Sequence, residues 1–122
     1  MNSIVFPGQG SQYVGMGKDL FDSFPEVKVV FEEVNHTLDQ NLSSLIFNGP
    51  DDELTLTENA QPAIMTVGIA IIEILNSRGF TVNRIANISA GHSLGEYTSL
   101  TALNSLSLSD TAKLLKLRGK AM

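Results

Sequence analysis

The pentapeptide Gly91-His92-Ser93-Leu94-Gly95 fits the G-x-S-x-G pattern of a nucleophile elbow. In such an elbow the serine occupies a tight turn between a strand and a helix. Glycines flank it because a side chain at either place would clash with the strand or helix. The turn lifts the hydroxyl above the sheet edge and sets it at a helix N-terminus, where free backbone N–H groups stabilise a developing oxyanion. Ser93 is therefore the candidate nucleophile for an acyl group, and the N–H of Leu94 is one candidate oxyanion donor. A second glycine-rich stretch, Pro7-Gly8-Gln9-Gly10-Ser11-Gln12, is no dinucleotide loop, because Tyr13 occupies the third glycine's place. It also lacks the G-K-[ST] of a P-loop. It is either an ordinary turn or a bare backbone at Gly8–Gly10 that brings a second N–H to the oxyanion. The second reading needs both loops to meet at one edge of a sheet, where α/β ligands usually bind.

A serine nucleophile needs a base. The chain has two histidines. His92 adjoins Ser93, and neighbours on a tight turn point apart, so it reads as a structural or hydrogen-bonding residue. His36 falls on the polar side of a helical pattern and reads as solvated. The expected base is absent. Four of the eight lysines and arginines (Lys113, Lys116, Arg118, Lys120) fall in the last ten residues. They form either a solvated helix face or a site for an anionic ligand or partner.

The elements that must position these groups follow from pattern. Ser3-Ile4-Val5-Phe6 reads as a short buried strand, and Gly15 to Phe21 as a short helix. Ser23 and Glu26 have capping-box spacing ahead of Val27, Val30, Phe31, Val34 and Leu38, which predicts an amphipathic helix to about Leu38. Leu42 to Phe47 is helix or strand, ended by Asn48-Gly49-Pro50. A long helix is predicted from about Ala60 to Arg78, capped by Thr57 or Asn59 and stopped by Gly79. Apolar on most sides (Ala63, Ile64, Val67, Ile71, Ile72, Leu75), it reads as central and buried. Ile85 to Ala90 reads as the second strand. Helices follow from about Leu94 to Leu103, with Asn104 as a left-handed stop, and from about Ser109 to the end. The order is α/β, and two strands are few for such a sheet. The chain ends within an apparent helix, so the expectation is the front part of a larger fold.

With 122 residues, 43% apolar and 17% charged, the composition is that of one small globular domain rather than a disordered chain. The absence of cysteine excludes disulfides and thiolate metal sites and makes the cytosol the default compartment. The start, Met1-Asn2-Ser3-Ile4, lacks the features of a signal peptide. The apolar stretch Pro62 to Ile72 is too short for a membrane span. The net charge is −5, with ten acids against two lysines in residues 1–61 and three acids against six bases in residues 62–122. An acidic chain whose bases are not interleaved with aromatics is a poor nucleic-acid binder.

Four stretches agree with one family: Phe6-Pro7-Gly8-Gln9-Gly10-Ser11-Gln12, Asn59-Ala60-Gln61-Pro62-Ala63, Gly91-His92-Ser93-Leu94-Gly95-Glu96-Tyr97 and Leu117-Arg118-Gly119-Lys120-Ala121-Met122. In this order and spacing the chain resembles malonyl-CoA:acyl carrier protein transacylases, the acyltransferases of fatty-acid and polyketide synthesis. The resemblance implies that residues 1–122 are the N-terminal part of an α/β-hydrolase-like acyltransferase subdomain with a parallel sheet. The ferredoxin-like subdomain and the catalytic histidine would lie beyond Met122. It also implies roles: Ser93 carries malonyl as an ester, the N–H groups of Gln9 and Leu94 form the oxyanion hole, and Arg118 pairs with the malonate carboxylate. His92 and Gln61 support the site. A guanidinium suits that role, because it binds a carboxylate in a two-pronged way that lysine cannot. Malonyl-CoA and acyl carrier protein would be the partners, with no metal or bound cofactor. The full-length enzyme would be monomeric, whereas the short chain is expected to be inactive alone and to self-associate. One departure is Asn104, where the family usually has glycine. The alternatives are part of a serine ester or thioester hydrolase, and a short non-catalytic protein that binds carrier protein or CoA.

Overall fold

The computed structural model describes every residue, Met1–Met122. The chain runs β1 (Ser3–Phe6), α1 (Lys18–Ser23), α2 (Pro25–Leu38), α3 (Leu42–Asn48), α4 (Asp51–Thr55), α5 (Thr57–Ser77), α6 (Val82–Ile85), β2 (Ile88–Gly91), α7 (Leu94–Ala102) and α8 (Leu108–Ala121). The strands pair in parallel, with Ser3 opposite Ile88 and Phe6 opposite Gly91. Parallel neighbours require a crossover, and α1 to α6 provide it. Because side chains alternate along a strand, Phe6 is buried while Val5 and Ile88 are exposed on the other face.

α5 is the central helix, as its apolar pattern predicts, but of the residues expected to bury it Val67 and Leu75 are only part-buried and Ile71 is exposed. The helix contacts α2, α3, α4, α7 and α8, and Ala60, Ala63, Ile64, Met65, Ile69, Ala70 and Ile72 are buried along it. At 21 residues it is long and apolar enough to cross a membrane by length and composition, but 56% of its most apolar window is buried within this fold. The predicted face of α2 (Val27, Val30, Phe31, Val34) is buried against it.

Several boundaries differ from expectation, each for a local reason. Ser23 does not cap α2. Pro25 takes the first helical position and forces the residue before it to be extended, so Phe24 becomes the N-cap (φ −125°, ψ 117°) without a side-chain bond. α1 starts only at Lys18, because Gly15 and Gly17 have φ of +96° and +77°. Neither Thr57 nor Asn59 caps α5; both lie inside it, and Leu56 is the N-cap. Ile85 is not in the second strand. Val82 and Ile85, three residues apart, suit one helical turn, and β2 begins at Ile88. Leu42–Asn48 resolves as a helix whose N-terminus is capped by the Asn41 side chain, which accepts from the Ser44 N–H. α4 had no sequence signal beyond the acids that follow Pro50, which suit a helix start. Gly79 (φ +82°) and Asn104 (φ 62°) are left-handed stops as expected. Ser107 caps α8 by accepting from the Asp110 N–H at 3.0 Å.

Candidate active site

β2 delivers Ser93 at φ 57°, ψ −115°, a backbone conformation costing about 1–3 kcal/mol for a residue with a β-carbon. The surroundings enforce it. A β-carbon on Gly91 would overlap the Gly95 carbonyl group, and one on Gly95 would overlap the Phe6 carbonyl oxygen. The glycines that sequence pattern assigns to an elbow are thus required by backbone-to-backbone contact. The His92 N–H donates to the Phe6 carbonyl at 3.1 Å, and the Gly95 N–H donates to the His92 carbonyl at 2.9 Å, closing the turn.

The two glycine-rich loops do meet. They leave adjacent parallel strands at the same end, and a β-carbon on Gly8 would lie 2.7 Å from His92 Cδ2 and 2.8 Å from the His92 oxygen. Within the loop the Ser11 hydroxyl donates to the Gly8 carbonyl at 2.8 Å, and the Gly10 N–H donates to Gln12 Oε1 at 2.8 Å. The Gln9 side chain donates from Nε2 to Thr57 Oγ1 at 3.2 Å, tying the loop to the start of α5. The backbone N–H groups of Gln9 and Leu94 take no acceptor within the chain. Leu94 opens α7, where first-turn donors have no intrahelical partner.

α8 brings Arg118 to the same place. Its Nη2 donates to Ser93 Oγ at 3.2 Å, and its Nη1 donates to Gln61 Oε1 at 2.7 Å. Its guanidinium lies 5.6 Å from the centre of the Tyr97 ring. Gln61 is fully buried in α5, and its Nε2 donates to Met122 Sδ at 3.2 Å. α8 can approach α5 this closely because residue 119 is glycine: a β-carbon there would lie 2.5 Å from Glu58 Cα and 2.7 Å from the Thr57 oxygen.

Ser93, Arg118, Gln61 and the two loops therefore converge. His92 is exposed and packs on Gly8, with no bond to Ser93 Oγ, whose one partner is Arg118. His36 is exposed near the end of α2. No residue of this chain is placed as a base for the serine. Tyr97, one helical turn after Ser93, Thr57, expected only as a possible helix cap, and Lys116, expected only as one of four clustered bases, also take part in this arrangement. A cleft of about 540 Å³ lies away from Ser93. It is an apolar trough between β1 and α5, lined by Val5, Tyr13, Met16, Val67, Ile71 and Leu75 among others.

Comparison with known proteins points to one family. Residues 4–122 match the acyl transferase domain family. The chain is 48% identical over 120 residues to a malonyl CoA-acyl carrier protein transacylase of Bacillus subtilis, covering 98% of this chain and 37% of that protein. It superposes on an acyl-carrier-protein-S-malonyltransferase from Bartonella henselae with a TM-score of 0.96 and 51% identity, covering 99% of this chain and 39% of the other. A type II PKS acyl-carrier protein in complex with its malonyl-transacylase gives a TM-score of 0.90 and 38% identity, over 97% of this chain and 37% of the other. The chain spans less than two fifths of the length of these relatives.

Proposed function

Because this chain belongs to the acyl transferase family, we propose that Ser93 takes a malonyl group from malonyl-CoA and passes it to the phosphopantetheine thiol of acyl carrier protein, in fatty-acid biosynthesis. The observation that carries this reading is the Arg118 guanidinium beside Ser93 Oγ, anchored on the buried Gln61. A fixed cation next to the nucleophile selects an acyl group that ends in a carboxylate.

The reaction is ping-pong. Ser93 Oγ attacks the thioester carbonyl, and the oxyanion forms against the free N–H groups of Gln9 and Leu94. Collapse breaks the C–S bond and releases CoA, leaving the malonyl ester. The carrier thiol then attacks the ester carbonyl, and Ser93 leaves as its hydroxyl. Each half needs a base that becomes an acid, and a histidine of the longer polypeptide, outside these residues, serves. The ferredoxin-like subdomain belongs to that remainder. The carrier-protein partner is supported by the relative solved in complex with its carrier protein. The lack of cysteine suits a cytosolic setting.

The test is intact-mass analysis after incubation with malonyl-CoA or acetyl-CoA. We expect slow malonyl addition, lost in Ser93→Ala, and a gain in acetyl labelling in Arg118→Ala. An adduct that persists in Ser93→Ala overturns the nucleophile assignment. Transfer by these residues alone should be weaker than that of a full-length transacylase by orders of magnitude, because the base is missing. Robust transfer by the chain would overturn that expectation.

A further inference from the structure

Lys116 is not part of a solvated face. Unlike Lys113 and Lys120, which are exposed, its side chain is only 19% exposed. Its Nζ donates to Gln40 Oε1 at 2.9 Å and to Asn59 Oδ1 at 2.9 Å, and stands 3.8 Å from Glu58 Oε2. The partners are themselves fixed. Gln40 Nε2 donates to Asn59 Oδ1 at 3.1 Å, and Asn59 Nδ2 donates to the Glu53 carbonyl at 2.9 Å. One ammonium thus joins Gln40, in the turn that follows α2, the junction of α4 with α5, and α8. Burial costs it some of its charge preference and lowers its pKa, which the nearby Glu58 carboxylate partly offsets.

The same first turns of α5 receive three contacts from α8. Lys116 bonds Asn59, Arg118 bonds Gln61, and Gly119 lies against the backbone of Thr57 and Glu58. Lys116 and Arg118, two residues apart, leave a helix in nearly opposite directions, so their bonds grip α5 from two sides. α8 cannot turn about its axis or slide along α5 without breaking one of them. An apolar residue would fill the place of Lys116 at lower desolvation cost, but would hold no direction.

We propose that Lys116 is a positioning residue for Arg118: its bonds to Asn59 and Gln40 fix α8 on α5 and so set the guanidinium at Ser93, giving preference for acyl donors that carry a free carboxylate. This rests on the reading of Arg118 as the carboxylate-binding group. The experiment is calorimetric binding of malonyl-CoA and acetyl-CoA to the Ser93→Ala chain, which binds without turnover, with Lys116→Met, Lys116→Arg, Gln40→Leu or Arg118→Ala added. Thermal midpoints are measured in parallel. Lys116→Met should lower the malonyl-over-acetyl preference on the order of tenfold, as expected when a binding group is misplaced by a fraction of an ångström to an ångström. Acetyl-CoA affinity should hold, and Lys116→Arg should restore part of the preference. Gln40→Leu, which removes one acceptor at the surface end of the network, should give a smaller loss and serves if Lys116→Met does not fold. If Arg118→Ala abolishes the preference while Lys116→Met and Gln40→Leu leave it intact, the proposal is overturned. The same holds if both affinities fall together with the thermal midpoint, which would make Lys116 a structural anchor alone. If Arg118→Ala changes nothing, or the parent chain shows no malonyl preference, the reading of Arg118 fails first and this proposal with it.

Discussion

The two ends of α5 hold their neighbours by different means. At the N-terminal end Asn59 and Gln61 are buried polar side chains with defined partners, and the backbone of Thr57 and Glu58 lies against Gly119. At the C-terminal end Arg78 sits 4.9 Å from the centre of the Phe24 ring and 3.6 Å from Glu26 Oε2, half exposed. Buried polar groups must be satisfied, and each partner has one workable geometry. Exposed ion pairs tolerate drift, because water replaces whatever is lost. The candidate site stands at the exacting end. Directional contacts sit where a guanidinium must be held within hydrogen-bonding reach of a hydroxyl, and forgiving ones sit where only packing is needed.

Breaking the exacting end should have the largest effect. Gly119→Ala puts a methyl group onto the backbone of Thr57 and Glu58, atoms that cannot rotate away. α8 must lift from α5, at about 3 kcal/mol or more. Urea unfolding should show the loss, and malonyl-ester formation on Ser93 should vanish with it. A variant of parental stability would show that the close approach is dispensable. Gln61→Leu is milder, since it keeps volume but removes the acceptor of Arg118. A stability loss of about 1–2 kcal/mol is expected, together with a fall in malonyl-over-acetyl labelling. If labelling preference is unchanged, Arg118 does not need its anchor.

How much of this end could be read from sequence depends on how local each constraint is. The elbow is local: Gly91 and Gly95 flank Ser93 within five residues, so its pattern stands in the sequence. The close approach of Gly8 to His92 is one step less local, and was foreseen only as a consequence of two loops leaving parallel strands at one sheet edge. Arg118 was placed beside the serine by family resemblance alone, because no pattern within α8 says which side meets α5. Lys116 shows the limit. Four bases in ten residues leave a solvated face or an anion site open, and the structure shows that one of them faces inward instead. The errors at Ser23 and Ile85 have the same character: the capping-box spacing yielded to Pro25, and the apolar run before β2 was one helical turn.

The middle of α5 offers a third regime. Val67, Ile71 and Leu75 line the apolar trough beside β1, where Val5 is 72% exposed. Exposed apolar surface of this kind, next to an unpaired strand edge, drives association. The chain is expected to self-associate as concentration rises, and Val5→Lys should reduce this while changing stability by no more than about 0.5 kcal/mol. Light scattering and urea midpoints check the two halves. A parent chain that stays monomeric throughout would remove the trough from consideration.

The smallest effect belongs to the forgiving end. The Glu26 carboxyl is held below its ordinary value, first by the Ser77 hydroxyl and then by its own backbone N–H, against an opposing effect of burial, with the Arg78 guanidinium adding less. A carboxyl whose pKa is lower folded than unfolded stabilises the fold above its unfolded pKa. That contribution is lost as pH falls through the folded value, because both states are then protonated. The thermal midpoint of the parent should therefore exceed that of Glu26→Gln slightly at neutral pH, and the gap should close in acid. Arg78→Ala should reproduce part of the gap, since Arg78 Nη1 stands 3.6 Å from Glu26 Oε2, and added salt should shrink that share, since exposed charges are screened. A gap that persists unchanged into acid would mean that Glu26 acts through packing rather than charge. The two ends of α5 would then differ less in kind than their contacts suggest.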